Sequence, residues 1–83
     1  MPSYARTARD EILAAFETLE HRTRRDTFSP AELIDEARKR GAQHEESTLR
    51  AHVVSRMCAN APPHHASRTD DLVRVARGQY QRR

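Results

Sequence analysis

The side chains best suited to binding chemistry in this 83-residue chain lie between about 45 and 59, a stretch with helical periodicity. On a wheel of 100° per residue, small polar side chains share one face and two arginines flank it. That face carries Thr48, Ala51, His52 and Ser55, and its flanks carry Arg50 and Arg56. Arginine can bind a guanine edge or a phosphate, the polar groups can bond to either, and alanine can pack on a thymine methyl. The pattern predicts contact with double-stranded DNA.

Three further basic residues follow in a predicted loop and hairpin, namely Arg68, Arg74 and Arg77. Arginines beside the turn at Gly78 can lie along phosphates or enter a narrow minor groove. Both sets also have a purely structural interpretation. The helix arginines can pair with acids such as Glu45 and Glu46, and the hairpin charges can protect an edge strand from further pairing. Both interpretations stay open at the level of sequence.

Charge is distributed unevenly along the chain. The formal net charge is +3, but residues 1–46 hold eight Lys/Arg and ten Asp/Glu, whereas residues 47–83 hold seven Arg and two Asp. The first part is therefore −2 and the second +5. A one-sided positive surface is typical of proteins with a polyanionic partner, although a solvated face has the same composition.

Catalytic and metal chemistry find little support in the sequence. The residues with zinc-ligand chemistry are His52, Cys58, His64 and His65. Their spacing fits no common zinc pattern, and Cys58 is the single thiol. Asp70 and Asp71 are adjacent, which favours a turn over a converging carboxylate pair. With only Gly41 and Gly78, the chain has no phosphate-cradling glycine loop, so we expect neither an enzyme nor a cofactor.

The first well-determined element is a helix over 30–40. Ser29 suits the N-cap, Pro30 the first position and Glu32 the third, which together predict a capping box. Phe28 and Leu33 are spaced as a hydrophobic staple across this start. The stop comes at Gly41, since glycine adopts the left-handed conformation that ends helices.

The remaining elements follow from periodicity and turn residues. Thr7 caps a helix over about 8–22, and residues 1–7 are predicted to be a flexible arm before a single domain spanning 8–82. Residues 27–28 are extended. The third helix runs to about Ala59, with Leu49, Val53 and Met57 facing inward and Val54 widening that stripe. A loop containing Pro62 precedes a β-hairpin over about 72–82.

This order of helix, extended residues, helix, turn, helix and hairpin resembles the winged helix-turn-helix family. The resemblance covers about residues 8–82 and rests on the FSPAEL helix start, the TLRAHVVSRM helix and the LVRVARGQY hairpin. It implies a mainly α fold with a small β-hairpin, in which the third helix enters the DNA major groove and the hairpin acts as a wing. The last two stretches are also similar to small winged-helix domains found alone or beside nuclease and restriction modules.

Two function classes follow. The first is a DNA-binding protein, a small transcriptional regulator. The alternative is a protein-interaction adaptor, or a non-catalytic DNA-targeting partner in a phage, nuclease or defence system, which would act with a separate protein. A homodimer and a monomer are equally expected, because so small a core gains stability from association. No apolar run spans a membrane and the N-terminus has no leader pattern, so a cytoplasmic location is expected.

Overall fold

The computed structural model describes residues 7–61 and 69–83, which form three helices and a three-stranded antiparallel sheet. The elements in chain order are α1 (Ala8–Thr23), β1 (Thr27–Phe28), α2 (Pro30–Lys39), α3 (Glu46–Ala51), a π-helical segment (His52–Arg56), β2 (Leu72–Ala76) and β3 (Gln79–Arg82). We refer to the continuous stretch 46–56 as helix three. The predicted arm, the His64–His65 pair and Arg68 lie outside the described residues, apart from Thr7.

The first two helices begin where the capping residues predict. The Thr7 hydroxyl accepts a hydrogen bond from the Asp10 amide at 3.1 Å. At α2, the Ser29 hydroxyl accepts from the Glu32 amide at 3.1 Å, and the Glu32 carboxylate accepts from the Ser29 amide at 2.8 Å. The capping box is therefore confirmed. Gly41, at φ +92°, supplies the predicted left-handed residue after α2.

The core lies between α1, the other helices and one face of the sheet. Phe16 and Phe28 meet edge to face with ring centroids 5.4 Å apart, and both are fully buried. Leu33, the predicted staple partner of Phe28, is also fully buried. The other fully buried large side chains are Ile12, Leu49, Val53, Met57 and Leu72. Each helix thus turns its apolar stripe toward the same centre.

The sheet has the order β1–β3–β2, so the last strand lies between the first two. Phe28 pairs with Tyr80, and Arg74 pairs with Tyr80 from the other side. Gly78 occupies the hairpin turn with φ +68°, a conformation that favours glycine. The predicted hairpin is confirmed, and the two predicted extended residues join it as a third strand. The fold is mixed α/β, richer in sheet than a mainly α domain with an isolated hairpin.

The third helix ends earlier than Ala59. After Arg56 the chain leaves the helix, and Cys58 forms a parallel bridge with Leu72. The carbonyls of Arg56 and Met57 accept hydrogen bonds from the amides of Thr69 and Leu72, at 2.8 and 2.7 Å. These terminal carbonyls have no partner further along the helix, so the incoming strand replaces the next helical turn.

One burial prediction for this region is wrong. Val54, expected to widen the inward stripe, is 36% exposed. The Cys58 side chain is fully enclosed near the bridge to β2. Among residues 7–61 and 69–83, no helix has both the length and the apolar character required to cross a membrane.

Replacing the N-cap of α2 tests how much this helix start stabilises the domain. Ser29→Ala should lower the free energy of unfolding by about 1 kcal/mol, because it leaves the Glu32 amide without its capping acceptor. Urea unfolding followed by circular dichroism measures this change. The matched control is Ser47→Ala in α3, expected to stay within about 0.5 kcal/mol of wild type. Equal effects at both serines would contradict the capping role.

Candidate nucleic-acid interface

Helix three and the hairpin are joined side by side through backbone hydrogen bonds. Besides the bonds that end the helix, the Ala59 amide donates to the Leu72 carbonyl at 2.7 Å. The start of β2 is therefore paired with the residues that follow helix three. The arginines of helix three and those of the hairpin therefore lie on two segments whose backbones are hydrogen-bonded to each other.

A widened turn controls the position of Arg56. The Met57 amide donates to the His52 carbonyl at 2.8 Å, an i→i+5 bond that defines the π-helical segment. On the 100° wheel Arg56 lies at the edge of the polar face, between His52 and Leu49, and only about 20° from Leu49. Leu49 is fully buried, whereas Arg56 is exposed. The extra residue in the turn sets Arg56 back around the axis, away from the core.

Arg50 is exposed and forms an ion pair with Glu46 one turn earlier, at 3.2 Å. The pairing of Arg50 with a nearby acid, which is the purely structural interpretation of this arginine, is therefore observed. Both side chains are largely in solvent, 46% and 61% exposed for Arg50 and Glu46. Such a pair contributes at most about 1 kcal/mol, so a phosphate or a base edge can compete for the guanidinium.

The remaining predicted helix residues are less uniformly exposed than the wheel implies. Ala51 is exposed, whereas Thr48, His52 and Ser55 are half-buried. His52 Nδ1 lies 2.9 Å from the Thr48 carbonyl oxygen. Because a carbonyl only accepts, Nδ1 carries the proton, which leaves Nε2 as the ring atom available to a ligand.

The hairpin presents Arg74 and Arg77, both exposed. Within the described part of the chain, neither guanidinium has an ion pair, and residues 72–81 contain no acid. Burial raises the pKa of Tyr80, which faces Arg74 across the strands, and the positive charge of Arg74 acts in the opposite direction. The hairpin is therefore a positively charged surface without internal compensation.

Positive charge is weaker at the start of helix three. Glu45 and Glu46 are both exposed there, with Glu45 as the N-cap residue. They balance the charge of Arg50 and Arg56 along the helix. The net positive part of this surface is thus the hairpin, and the helix contributes a mixed face of arginine and glutamate.

The base of the hairpin is anchored to α1 by a two-bond ion pair. Arg9 donates to both oxygens of Asp71, at 2.7 and 2.8 Å. The Arg9 guanidinium, with a smaller contribution from the Thr69 hydroxyl, lowers the pKa of Asp71. Arg82, which pairs with Leu72 at the same open end of the hairpin, donates to both oxygens of Glu20 in α1, at 3.1 and 2.6 Å. Arg82 is therefore engaged within the fold.

The turn before helix three is also held against α1. The imidazole of His44 bonds through Nδ1 to the carboxylate of Glu11, which is buried. This contact connects the turn before helix three to α1. Nothing in the sequence marks it, because Glu11 and His44 are separated by 33 positions and each resembles an ordinary surface residue.

Residues 8–82 match a family model described as "Domain of unknown function (DUF7669)". The chain belongs to the DUF7669 family. No curated protein and no solved structure matches it. The function of this DUF7669 domain is therefore inferred from its own residues and their geometry.

The structure brings together most of the predicted site residues of the DUF7669 domain. Helix three holds six of them, the hairpin holds Arg74 and Arg77, and Arg68 lies outside the described residues. The sequence prediction did not include Asn60, whose side chain contacts the Arg74 backbone at 3.0 Å. The described part of the DUF7669 chain contains no cluster of three or more potential metal ligands.

The Arg9–Asp71 pair predicts how stability depends on pH. Asp71 has a lowered pKa in the folded state, so its contribution is present above the unfolded value of about 3.9 and is lost as pH falls. Asp71→Asn should therefore reduce unfolding free energy near pH 6 and make its decline between about pH 5 and 2 shallower. Urea unfolding across this pH range measures both effects.

The matched control is Asp35→Asn, which removes a carboxylate that is 70% exposed and pairs, among the described residues, with Lys39 on the same helix. A surface pair of this kind contributes little, so the acid profile should remain that of wild type. An unchanged profile in Asp71→Asn as well would contradict the anchoring role of Asp71.

Proposed function

We propose that this DUF7669 domain binds double-stranded DNA as a small winged helix-turn-helix regulator, with helix three in the major groove and the hairpin 72–82 as the wing. The order of helices and strands supports this assignment, since it is the order on which the sequence resemblance rests. The pairing of β1 with β3 adds support, because it fixes the hairpin to the helical part of the domain.

One observation carries the proposal. A hairpin without an acid, in which Arg74 and Arg77 are exposed and have no ion pair among the described residues, is joined by backbone bonds to a helix that exposes two further arginines. Duplex DNA offers phosphates on both sides of a groove, so a ligand of this kind can meet helix and hairpin at once. Arg82 on the hairpin and Arg9 near its base are instead paired, with Glu20 and Asp71.

Helix three supplies the groups that would read bases. A helix fits the major groove, where arginine can bond to guanine and a carboxylate can accept from the amino group of cytosine. Arg50 and Glu46 lie one turn apart on the exposed side, so both can face the same groove. This gives the acidic start of the helix a role in selecting sequence, whereas the hairpin supplies affinity.

Removing a helix arginine should affect specific binding most strongly. Arg50→Ala or Arg56→Ala should weaken binding to the preferred site by roughly 1–3 kcal/mol and relax preference at one position. Fluorescence anisotropy with the preferred and a scrambled duplex measures the loss of affinity and the loss of sequence preference. If the loss is equal on the two duplexes, these arginines contact the backbone and do not read sequence.

Removing a hairpin arginine should act on all sequences alike. Arg74→Ala or Arg77→Ala should weaken binding to every duplex similarly and reduce the salt slope by about 1 for each phosphate that is no longer neutralised. Binding isotherms from about 50 to 300 mM salt give this slope. Arg38→Ala removes the same charge from the exposed surface of α2 and should leave the slope near that of wild type.

Selection from a pool of random duplexes tests the proposal as a whole. Steep salt dependence together with an enriched motif supports a sequence-specific regulator, and a palindromic motif supports a dimer. Salt-dependent binding without a motif supports a non-catalytic DNA-targeting partner of a phage, nuclease or defence system. If binding is absent even at low salt, the DNA proposal is wrong.

A second candidate function is a protein-interaction adaptor or a homodimer. It is favoured by Val54 and Val75, the two large apolar side chains that are exposed among the described residues, at 36% and 48%. Exposed valines of this kind can be covered by a partner, although two scattered side chains fall short of an extended patch. Light scattering of the wild type and of Val75→Ser distinguishes a dimer through this position from a monomer. Neither candidate function assigns a catalytic group or a cofactor.

A further inference from the structure

Asn60 connects the end of helix three to the hairpin through its side chain. Its Oδ1 accepts a hydrogen bond from the Arg74 amide, and its Nδ2 donates to the Arg74 carbonyl, both at 3.0 Å. A residue of a neighbouring strand exchanges the same two bonds with its partner in an antiparallel ladder. The amide of Asn60 therefore takes the place of a strand residue at the outer edge of β2.

The orientation of this amide is itself determined by a third bond. The buried thiol of Cys58 donates to Asn60 Oδ1 at 3.0 Å. A thiol proton and a backbone N–H both require an acceptor, so the oxygen of Asn60 must point toward them and the NH₂ group toward the Arg74 carbonyl. All three hydrogen bonds require the same orientation of the Asn60 amide.

Among the contacts of residues 7–61 and 69–83, Asn60 is the last connection between the end of helix three and β2. Before it, the backbone bonds of Met57 and Ala59 hold Leu72 at 2.7 Å each. Beyond Arg74, the strand carrying Val75 and Ala76 pairs only with β3, apart from any contact outside the described residues. The pairing of β2 with β3 is also irregular between Arg74 and Ala76. The arginines of the hairpin thus lie where one edge of the strand loses its support.

We propose that Asn60 is a positioning residue that fixes the hairpin against helix three, so that Arg74 and Arg77 engage the same duplex as Arg50 and Arg56. This inference rests on the proposed DNA-binding function. Asn60 touches no DNA in this role. It determines the orientation of the Arg74 backbone, and through it the direction in which the hairpin extends from the helix.

The chemistry at this position requires both halves of an amide. Alanine would leave the Arg74 amide and carbonyl without partners on this edge. Aspartate would keep the acceptor for the amide but would place an oxygen against the Arg74 carbonyl, since it has no NH₂ group. Asn60→Ala therefore removes both bonds, and Asn60→Asp removes one while it preserves size.

A first measurement tests the position of the hairpin without DNA. In Asn60→Ala, amide exchange at Arg74 should become faster by about tenfold or more, since its bond to Oδ1 is gone. Residual dipolar couplings should show that the hairpin has changed its orientation relative to helix three. Asn60→Asp should change the exchange rate and the couplings in the same direction. This variant replaces Asn60→Ala in the measurement if the alanine variant does not fold. Unchanged couplings in the folded variants would overturn the proposal.

A second measurement tests the link to DNA through a double-mutant cycle. Arg77→Ala should weaken duplex binding in the wild type, but its further cost in the Asn60→Ala background should be smaller by at least about twofold. The salt slope of Asn60→Ala alone should already be reduced, which a loss of stability without misplacement would not cause. Additive effects of the two changes would overturn the proposal.

Gln81→Ala is the matched control, because it removes another side-chain amide whose bond to Asp26, at 2.9 Å, crosses the sheet away from helix three. The effect of Gln81→Ala on duplex binding should add to that of Arg77→Ala. If the wild type binds no duplex, the proposed function is wrong, and the couplings of Asn60→Ala then decide by themselves whether Asn60 positions the hairpin.

Discussion

The arrangement of this domain depends on the hydrogen bonds between the end of helix three and the start of β2. The last carbonyls of any helix have no partner within it, and burying them unpaired is costly. Here the amides of Thr69 and Leu72 satisfy the carbonyls of Arg56 and Met57. Helix three and the hairpin consequently share one backbone network, and the positions of their arginines depend on each other.

The distribution of ion pairs decides which cations remain available to a ligand. Asp71 at the base of the hairpin engages Arg9, and Glu20 of α1 engages Arg82. An acid of α2 engages Arg22. The hairpin has no acid of its own that could engage Arg74 and Arg77. The net charge of +3 is therefore less informative than its placement, because the uncompensated part lies next to helix three. This placement is the physical basis of the proposed DNA contact.

Local signals in the sequence determine much of the fold. The capping box of Ser29 and Glu32, the left-handed glycines and the spacing of Leu49, Val53 and Met57 all act within a few residues, so they can be recognised without knowledge of the tertiary structure. The same holds for the hairpin turn at Gly78. The candidate site is likewise visible as a set of residue types, since exposed arginines on a predicted helix and hairpin require no knowledge of packing.

Only the tertiary structure decided how these parts meet. The early end of helix three and the engagement of Arg82 depend on partners far away in the chain, up to 62 positions for Arg82 and Glu20. Asn60 and Arg74 are 14 positions apart, and no periodicity links them. Caps and amphipathic stripes are properties of neighbouring residues, so the sequence by itself determined the helices and the hairpin. Contacts between distant segments arise from competition among many partners, and that competition is resolved only when the whole chain has packed.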